Sequence, residues 1–149
     1  MEERHILCID LKSFFASCEC VERGLDPFNY PLVVANPNQG GGAITLAVTP
    51  YLKAQGVPSR GRIYEIPKNI KYFIAKPRMS LYVKKSEEVV NIYLSFVAKE
   101  DLHIYSIDEC FLDVTHYLKL YKKTDYELAL DILNTIYKKT QRWIKEKII

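Results

Sequence analysis

Three acidic residues constrain this chain more than any other feature. Asp10 ends the apolar run Ile6-Leu7-Cys8-Ile9, and the adjacent pair Asp108-Glu109 interrupts two apolar, β-prone stretches within Tyr105-Ser106-Ile107-Asp108-Glu109-Cys110-Phe111-Leu112-Asp113. If the pair sits at the turn of a hairpin, both acids point to one end of a sheet, where desolvation and mutual repulsion would be costly. A divalent cation removes that cost. Oxygen donors without His or Cys partners favour Mg²⁺ over zinc, and Mg²⁺ on a few carboxylates completes its shell with substrate phosphates. The same spacing also fits an exposed hairpin turn with Asp10 capping a helix.

The 149 residues are 48% hydrophobic, enough for one real core and against disorder. The longest apolar stretches, such as Ala43 to Val48, fall far short of the roughly 20 residues a bilayer span needs, and Met1-Glu2-Glu3-Arg4 lacks a signal pattern. A cytoplasmic protein without membrane partners is expected. Cys8, Cys18, Cys20 and Cys110 show no C-x-x-C spacing and read as buried free thiols of a reducing compartment, while His5, His103 and His116 are isolated. Net charge is only +3, but from Lys53 to Lys85 nine bases face the single acid Glu65. That stretch is either a local positive surface for nucleic acid or an ordinary solvated face.

Residues 5 to 10 read as a buried strand, followed by a helix with Ser13 as N-cap and Gly24 as stop. Residues 25 to 77 hold all the prolines and every glycine but Gly24, with short strands expected at Pro31 to Ala35 and Ala43 to Val48, so this segment reads as a turn-rich insertion. Pro50 can open a short helix. Apolar residues at three- and four-residue spacing predict a helix over roughly 79 to 98, strands at Leu102 to Ser106 and Cys110 to Val114, and a last helix over Tyr126 to Ile149 with Trp143 inward. The order suits an α+β fold, a sheet with helices packed on one face. The strand ending at Asp10 can then lie beside the hairpin of Asp108 and Glu109, and backbone N–H groups of Lys12, Ser13 and Phe14 at a helix N-terminus are placed for a triphosphate.

Ile9-Asp10-Leu11-Lys12-Ser13-Phe14-Phe15-Ala16 and Tyr105 to Asp113 resemble the two catalytic motifs of Y-family DNA polymerases, the lesion-bypass enzymes of the DNA polymerase IV and UmuC type. Gly40-Gly41-Gly42-Ala43-Ile44 and Leu52-Lys53-Ala54-Gln55-Gly56-Val57 resemble the family's fingers. The resemblance implies a palm-type sheet divided as 1–24 and 78–149, with a small fingers insertion over 25–77. It implies that Asp10, Asp108 and Glu109 are the catalytic carboxylates and bind two Mg²⁺ ions, with Leu11 supplying a carbonyl. Lys12, Ser13, Phe14, Phe15 and Lys53 become the nucleotide-binding residues, and Phe15 the steric gate that excludes a 2′-hydroxyl. Phe14 and Phe15 are otherwise plain core residues facing different ways.

Thr49-Pro50 stands where many relatives have Asn-Tyr, with Tyr51 one step later, which puts the usual tyrosine contact to phosphate in question. Lys12 replaces a common acid. Family members continue through more palm, a thumb and a little finger, so the resemblance implies an N-terminal piece of a translesion DNA polymerase whose own activity is uncertain. Its partners would be primer-template DNA and a deoxynucleoside triphosphate, with a sliding clamp engaged through the missing C-terminal region. The competing readings are a nucleotide cyclase-like palm enzyme and a non-catalytic module that binds DNA or a partner protein.

Overall fold

The computed structural model describes residues 3–139 and 145–148. In chain order the elements are β1 (Ile6–Lys12), α1 (Phe14–Glu22), β2 (Leu32–Val34), β3 (Ala47–Val48), α2 (Pro50–Ala54), β4 (Phe73–Ala75), α3 (Met79–Leu94), β5 (Leu102–Ser106), β6 (Glu109–Asp113), α4 (Tyr117–Tyr121), α5 (Asp125–Lys139) and β7 (Lys145–Ile148). They form two compact units. One comprises the residues up to Lys12 and those from Val83 onward, the other Ser13 to Tyr82.

The first unit is built on a four-stranded sheet of order β5-β6-β1-β7, antiparallel throughout. Its alternation is strict: Leu7, Ile9 and Leu11 of β1 and Cys110 and Leu112 of β6 are buried, whereas Cys8, Asp10, Glu109, Phe111 and Asp113 are half-exposed on the opposite face. One face is therefore a core face and the other is open. Buried stripes at helical spacing, Val89, Ile92 and Tyr93 on α3 and Leu128, Ala129, Ile132 and Ile136 on α5, supply the apolar surface of the same unit. At the start of α5, Thr124 Oγ1 accepts from the Glu127 N–H at 3.2 Å while Glu127 Oε1 accepts from the Thr124 N–H at 3.1 Å, a reciprocal cap legible in Thr-x-x-Glu.

The second unit carries a three-stranded sheet of order β3-β2-β4, with β2 antiparallel to β3 and parallel to β4. Val33, Ala35, Ala43, Val48, Leu52, Val57 and Ile66 form its core cluster. Helix α1 is buried from Ala16 to Cys20. It ends where Gly24, at φ 71°, donates to the Val21 carbonyl and Leu25 to the Cys20 carbonyl, so the glycine stop is met with a paired C-terminal cap. Pro50 does open α2.

A buried ionic centre joins α1 to the first turn of α3. The fully buried Glu19 carboxylate accepts from Arg23 Nη1 at 2.5 Å, from Arg78 Nη2 at 2.5 Å and Nε at 3.1 Å, and from the Tyr82 hydroxyl at 2.6 Å. Burial alone pushes the Glu19 carboxyl up, but the bonds from Arg78, Tyr82 and Arg23 outweigh it and hold the group below the usual glutamate range. Arg23 also lies 5.4 Å over the Phe73 ring.

Several expectations are corrected. The last helix ends at Lys139 among the described residues, and 145–148 form β7, paired to β1 with Asp10 opposite Lys147. Lys-Glu-Lys-Ile favours helix by composition, but the edge of β1 offers a ladder, and such tertiary pairing overrides propensity. Trp143 lies outside the described residues. The third strand of the second unit, β4, was not expected, and the strand expected over Ala43 to Val48 is reduced to Ala47–Val48, with the Gly-rich run before it in a 3₁₀ turn over Pro37–Gly42. Ser13 stands at the N-cap position of α1, yet its φ of 54° is left-handed and its side chain makes no capping bond. Cys18, Cys20 and Cys110 are buried free thiols, with burial pushing Cys20 up to about 12 and Cys110 to about 11, but Cys8 is half-exposed. No helix among the described residues is long and apolar enough to cross a membrane.

Ile9→Ala should lower the unfolding free energy by about 2–5 kcal/mol, since a fully buried side chain leaves a cavity. Ile6→Ala, on a residue 53% exposed three positions earlier, should cost under about 0.5 kcal/mol in the same urea titration. Comparable losses would contradict the two-faced sheet. Because the folded value of Glu19 is depressed, its carboxylate stabilises the fold above the unfolded value of about 4.3, and that contribution fades as pH falls through the folded value. Glu19→Gln should thus be less stable than the parent chain at pH 6, with the gap narrowing toward pH 3.

Candidate active site

The pairing of β1 with β6 puts Asp10 directly opposite Glu109 on the open face. Sequence placed both hairpin acids in the turn, but Glu109 already belongs to β6, and only Asp108 lies between the strands. The Asp108 carbonyl accepts from the Leu11 N–H at 2.8 Å, so the backbone pairing carries on one step past the Asp10–Glu109 pair. Asp108 is thereby held next to that pair.

Two serines that the sequence reading did not single out hold this corner. Ser106 Oγ donates to Asp108 Oδ1 at 3.0 Å and lies 3.5 Å from Glu109 Oε2, where the β5–β6 register shifts. Ser86 Oγ, on α3, donates to the Ile107 carbonyl at 2.6 Å. Ser106 was visible as the hydroxyl two residues before Asp108, whereas Ser86 carried no local signal. On the open face Cys8 reports the local field: burial raises its thiol first, then the negative charge of Glu109, then that of Asp10.

Like charges directly opposite on neighbouring strands are destabilising unless something positive stands between them. The donors are carboxylate oxygens, the chemistry of a hard divalent cation, and the thiol beside them is held protonated. The donor set therefore fits Mg²⁺. Among the described residues, no three His, Cys, Asp or Glu side chains are already gathered closely enough to hold a metal. Leu11 turns its side chain to the core face. Down the same open face, Tyr105 meets Phe111 edge-on at 5.9 Å and His103 lies 6.2 Å from it.

The remaining expected site residues, apart from Lys12 at the exposed end of β1, belong to the second unit. The Ser13 hydroxyl is buried without a hydrogen-bond partner among the described residues, as is that of Ser17. The first turn of α1 has no capping side-chain hydrogen bond from Ser13 and no acid. Phe14 is buried in the core, whereas Phe15 is half-exposed and stacks on Tyr82 with ring centroids 4.4 Å apart and planes 12° apart. Lys53 is exposed on α2, and Tyr51 is packed against the unit's core.

A family model described as the impB/mucB/samB family matches residues 9–146. UvrX of Bacillus subtilis (strain 168), a putative UV-damage repair protein by name, is 39% identical over 111 residues, covering 74% of this chain and 27% of UvrX. YozK of the same organism, named a DNA repair protein homolog, is 37% identical over 105 residues, covering 70% of this chain and 91% of YozK. DNA polymerase IV 2 of Bacillus subtilis (strain 168) is 32% identical over 139 residues, which cover 91% of this chain and 32% of that protein. The chain thus spans about a quarter to a third of UvrX and DNA polymerase IV 2 but most of YozK. Among solved structures, a Y-family DNA polymerase chimera of Dbh and Dpo4 superposes with a TM-score of 0.77 at 21% identity, over 96% of this chain and 42% of that one. The chain therefore belongs to the impB/mucB/samB family and carries the palm-and-fingers fold of Y-family DNA polymerases.

Proposed function

We propose that this chain is the palm and fingers of a translesion DNA polymerase, adding deoxynucleotides to a primer opposite damaged template bases. The observation that carries the reading is the cross-strand placement of Asp10 against Glu109 with Asp108 one step beyond, an acidic corner that family members named as DNA polymerases support as a nucleotidyl-transfer site. In this reading Asp10, Asp108 and Glu109 hold two Mg²⁺ ions, with the Leu11 carbonyl as a further oxygen donor. When bound, these ions lower the pKa of the attacking primer hydroxyl and neutralise charge on the departing pyrophosphate.

The chain's own residues do the positioning. Ser106 keeps Asp108 and Glu109 turned toward each other before any cation arrives, which lowers the reorganisation the site needs. Lys12, Ser13, Phe14 and Lys53 are the residues this reading assigns to the triphosphate, with main-chain N–H groups at the start of α1 as the expected donors. The left-handed Ser13 is the kind of strained position that clusters at ligand sites. Phe15 presents its half-exposed ring to the sugar and rejects a 2′-hydroxyl. Residues 25–77 act as small fingers, with palm on either side at 1–24 and 78–149, and so light an insertion tolerates distorted template bases. Primer-template DNA and a deoxynucleoside triphosphate are the partners, and the polymerase that carries this domain would meet its sliding clamp elsewhere.

A second reading, a non-catalytic DNA- or partner-binding module, is favoured by one observation: no three ligating side chains are already gathered among the described residues. Metal binding and primer extension separate the two. In a Mn²⁺ titration followed by electron paramagnetic resonance with a deoxynucleotide present, Glu109→Gln should weaken binding at least about tenfold. The same substitution should raise the metal-free unfolding free energy by about 0.2–1 kcal/mol, because it removes a like-charge pair. Unaltered Mn²⁺ affinity would favour the non-catalytic module. Extension of a primer by the chain, abolished by Asp108→Ala, is the positive outcome for the polymerase; cyclic nucleotide formed without extension would point to a cyclase.

A further inference from the structure

Phe15, Glu19 and Arg23 recur every four residues on α1, and Arg78 and Tyr82 stand four apart at the start of α3. Residues so spaced share a helix face. The two faces meet in one chain of contacts: Phe15 stacks on Tyr82, the Tyr82 hydroxyl donates to Glu19 Oε2 at 2.6 Å, and Arg23 and Arg78 both donate to Glu19 Oε1.

We propose that Glu19 is a positioning residue for sugar discrimination, because it pins the far end of the Tyr82 ring and so fixes the backing against which Phe15 stands. This rests on reading Phe15 as the ring that meets the sugar. Phe15 is half-exposed, and an aromatic side chain turns softly about its terminal torsion, so its own rotamer does not hold it against a pushing hydroxyl. The near-parallel Tyr82 ring behind it does, provided that Tyr82 cannot tilt away. Tyr82 is fully buried, and its hydroxyl is anchored on a carboxylate that two guanidinium groups keep from moving. A hydrogen bond two residues removed from the ligand thus sets how firmly the ring resists. Glu19 touches no substrate in this scheme.

The test uses the 149-residue chain with Mg²⁺, measuring dissociation constants for dATP and ATP by calorimetry. The parent chain should prefer dATP, and Phe15→Ala should erase the preference. Tyr82→Phe keeps the stacked ring and removes only the hydroxyl; the ATP-to-dATP ratio should fall about threefold to tenfold, the scale set by letting a ring leave its rotamer well. Glu19→Gln should reproduce that fall. A ratio retained in folded Tyr82→Phe overturns the proposal, as does equal weakening of both nucleotides, which is what a merely structural role predicts. Should Tyr82→Phe fail to fold, Arg78→Lys keeps the charge and loses the fork on Glu19, and an unchanged ratio there overturns it equally. If the parent chain shows no preference, or Phe15→Ala leaves it intact, the gate reading of Phe15 is what fails, and the role of Glu19 falls with it.

Discussion

The pairing of β1 with β6 is the constraint on which the rest depends. Side chains alternate along a strand, so a slip of one residue would turn Leu7, Ile9 and Leu11 outward and drive Asp10 into the core. Burying one carboxylate without a partner costs more than the fold can spare, and exposing three large aliphatic side chains forfeits several kcal/mol more. The apolar residues thereby choose the register, and the register chooses where the charges go. The acidic corner is a consequence of core packing on the opposite face of the same strands.

The second unit solves the opposite electrostatic problem. The first unit leaves acids facing one another on an open face, whereas Glu19 is sunk out of solvent with donors on both carboxylate oxygens. A buried charge is tolerated only under such pairing. The two environments treat one chemical group differently: the acids of the first unit lie half-exposed on an open face, whereas Glu19 is a buried, rigid fixture.

Much of this was legible in the chain. The apolar run before Asp10, the β-prone flanks of Asp108-Glu109 and the Gly24 stop each rest on local rules, and the structure follows them. What was not legible depends on distant partners. Residues 145–148 have helical composition and become a strand because β1 has an edge to pair. Glu19 carries no signal of its role in the sequence, since nothing local announces that Arg78 and Tyr82, some sixty positions on, will enclose it. Ser86 is hidden for the same reason. Ser13 obeyed the statistics of N-caps in position but not in conformation, because the turn out of β1 requires a left-handed residue there.

The nesting of one unit inside the sequence of the other also sets an order of assembly. Strand β1 leaves the ribosome first, yet its partner β6 does not exist until residue 113 has been made, by which time the whole of Ser13 to Tyr82 has emerged. All three strands of the inserted unit lie within that span, so it can complete its own sheet while β1 is still unpaired. Closing a loop of about a hundred residues costs only slightly more than closing one of fifty, but it makes the host unit the slower of the two to form. An amino-terminal strand with three aliphatic side chains and no ladder is a sticky segment for that interval, and Lys12 and the charges at Glu3 and Arg4 flank it as built-in solubilising guards.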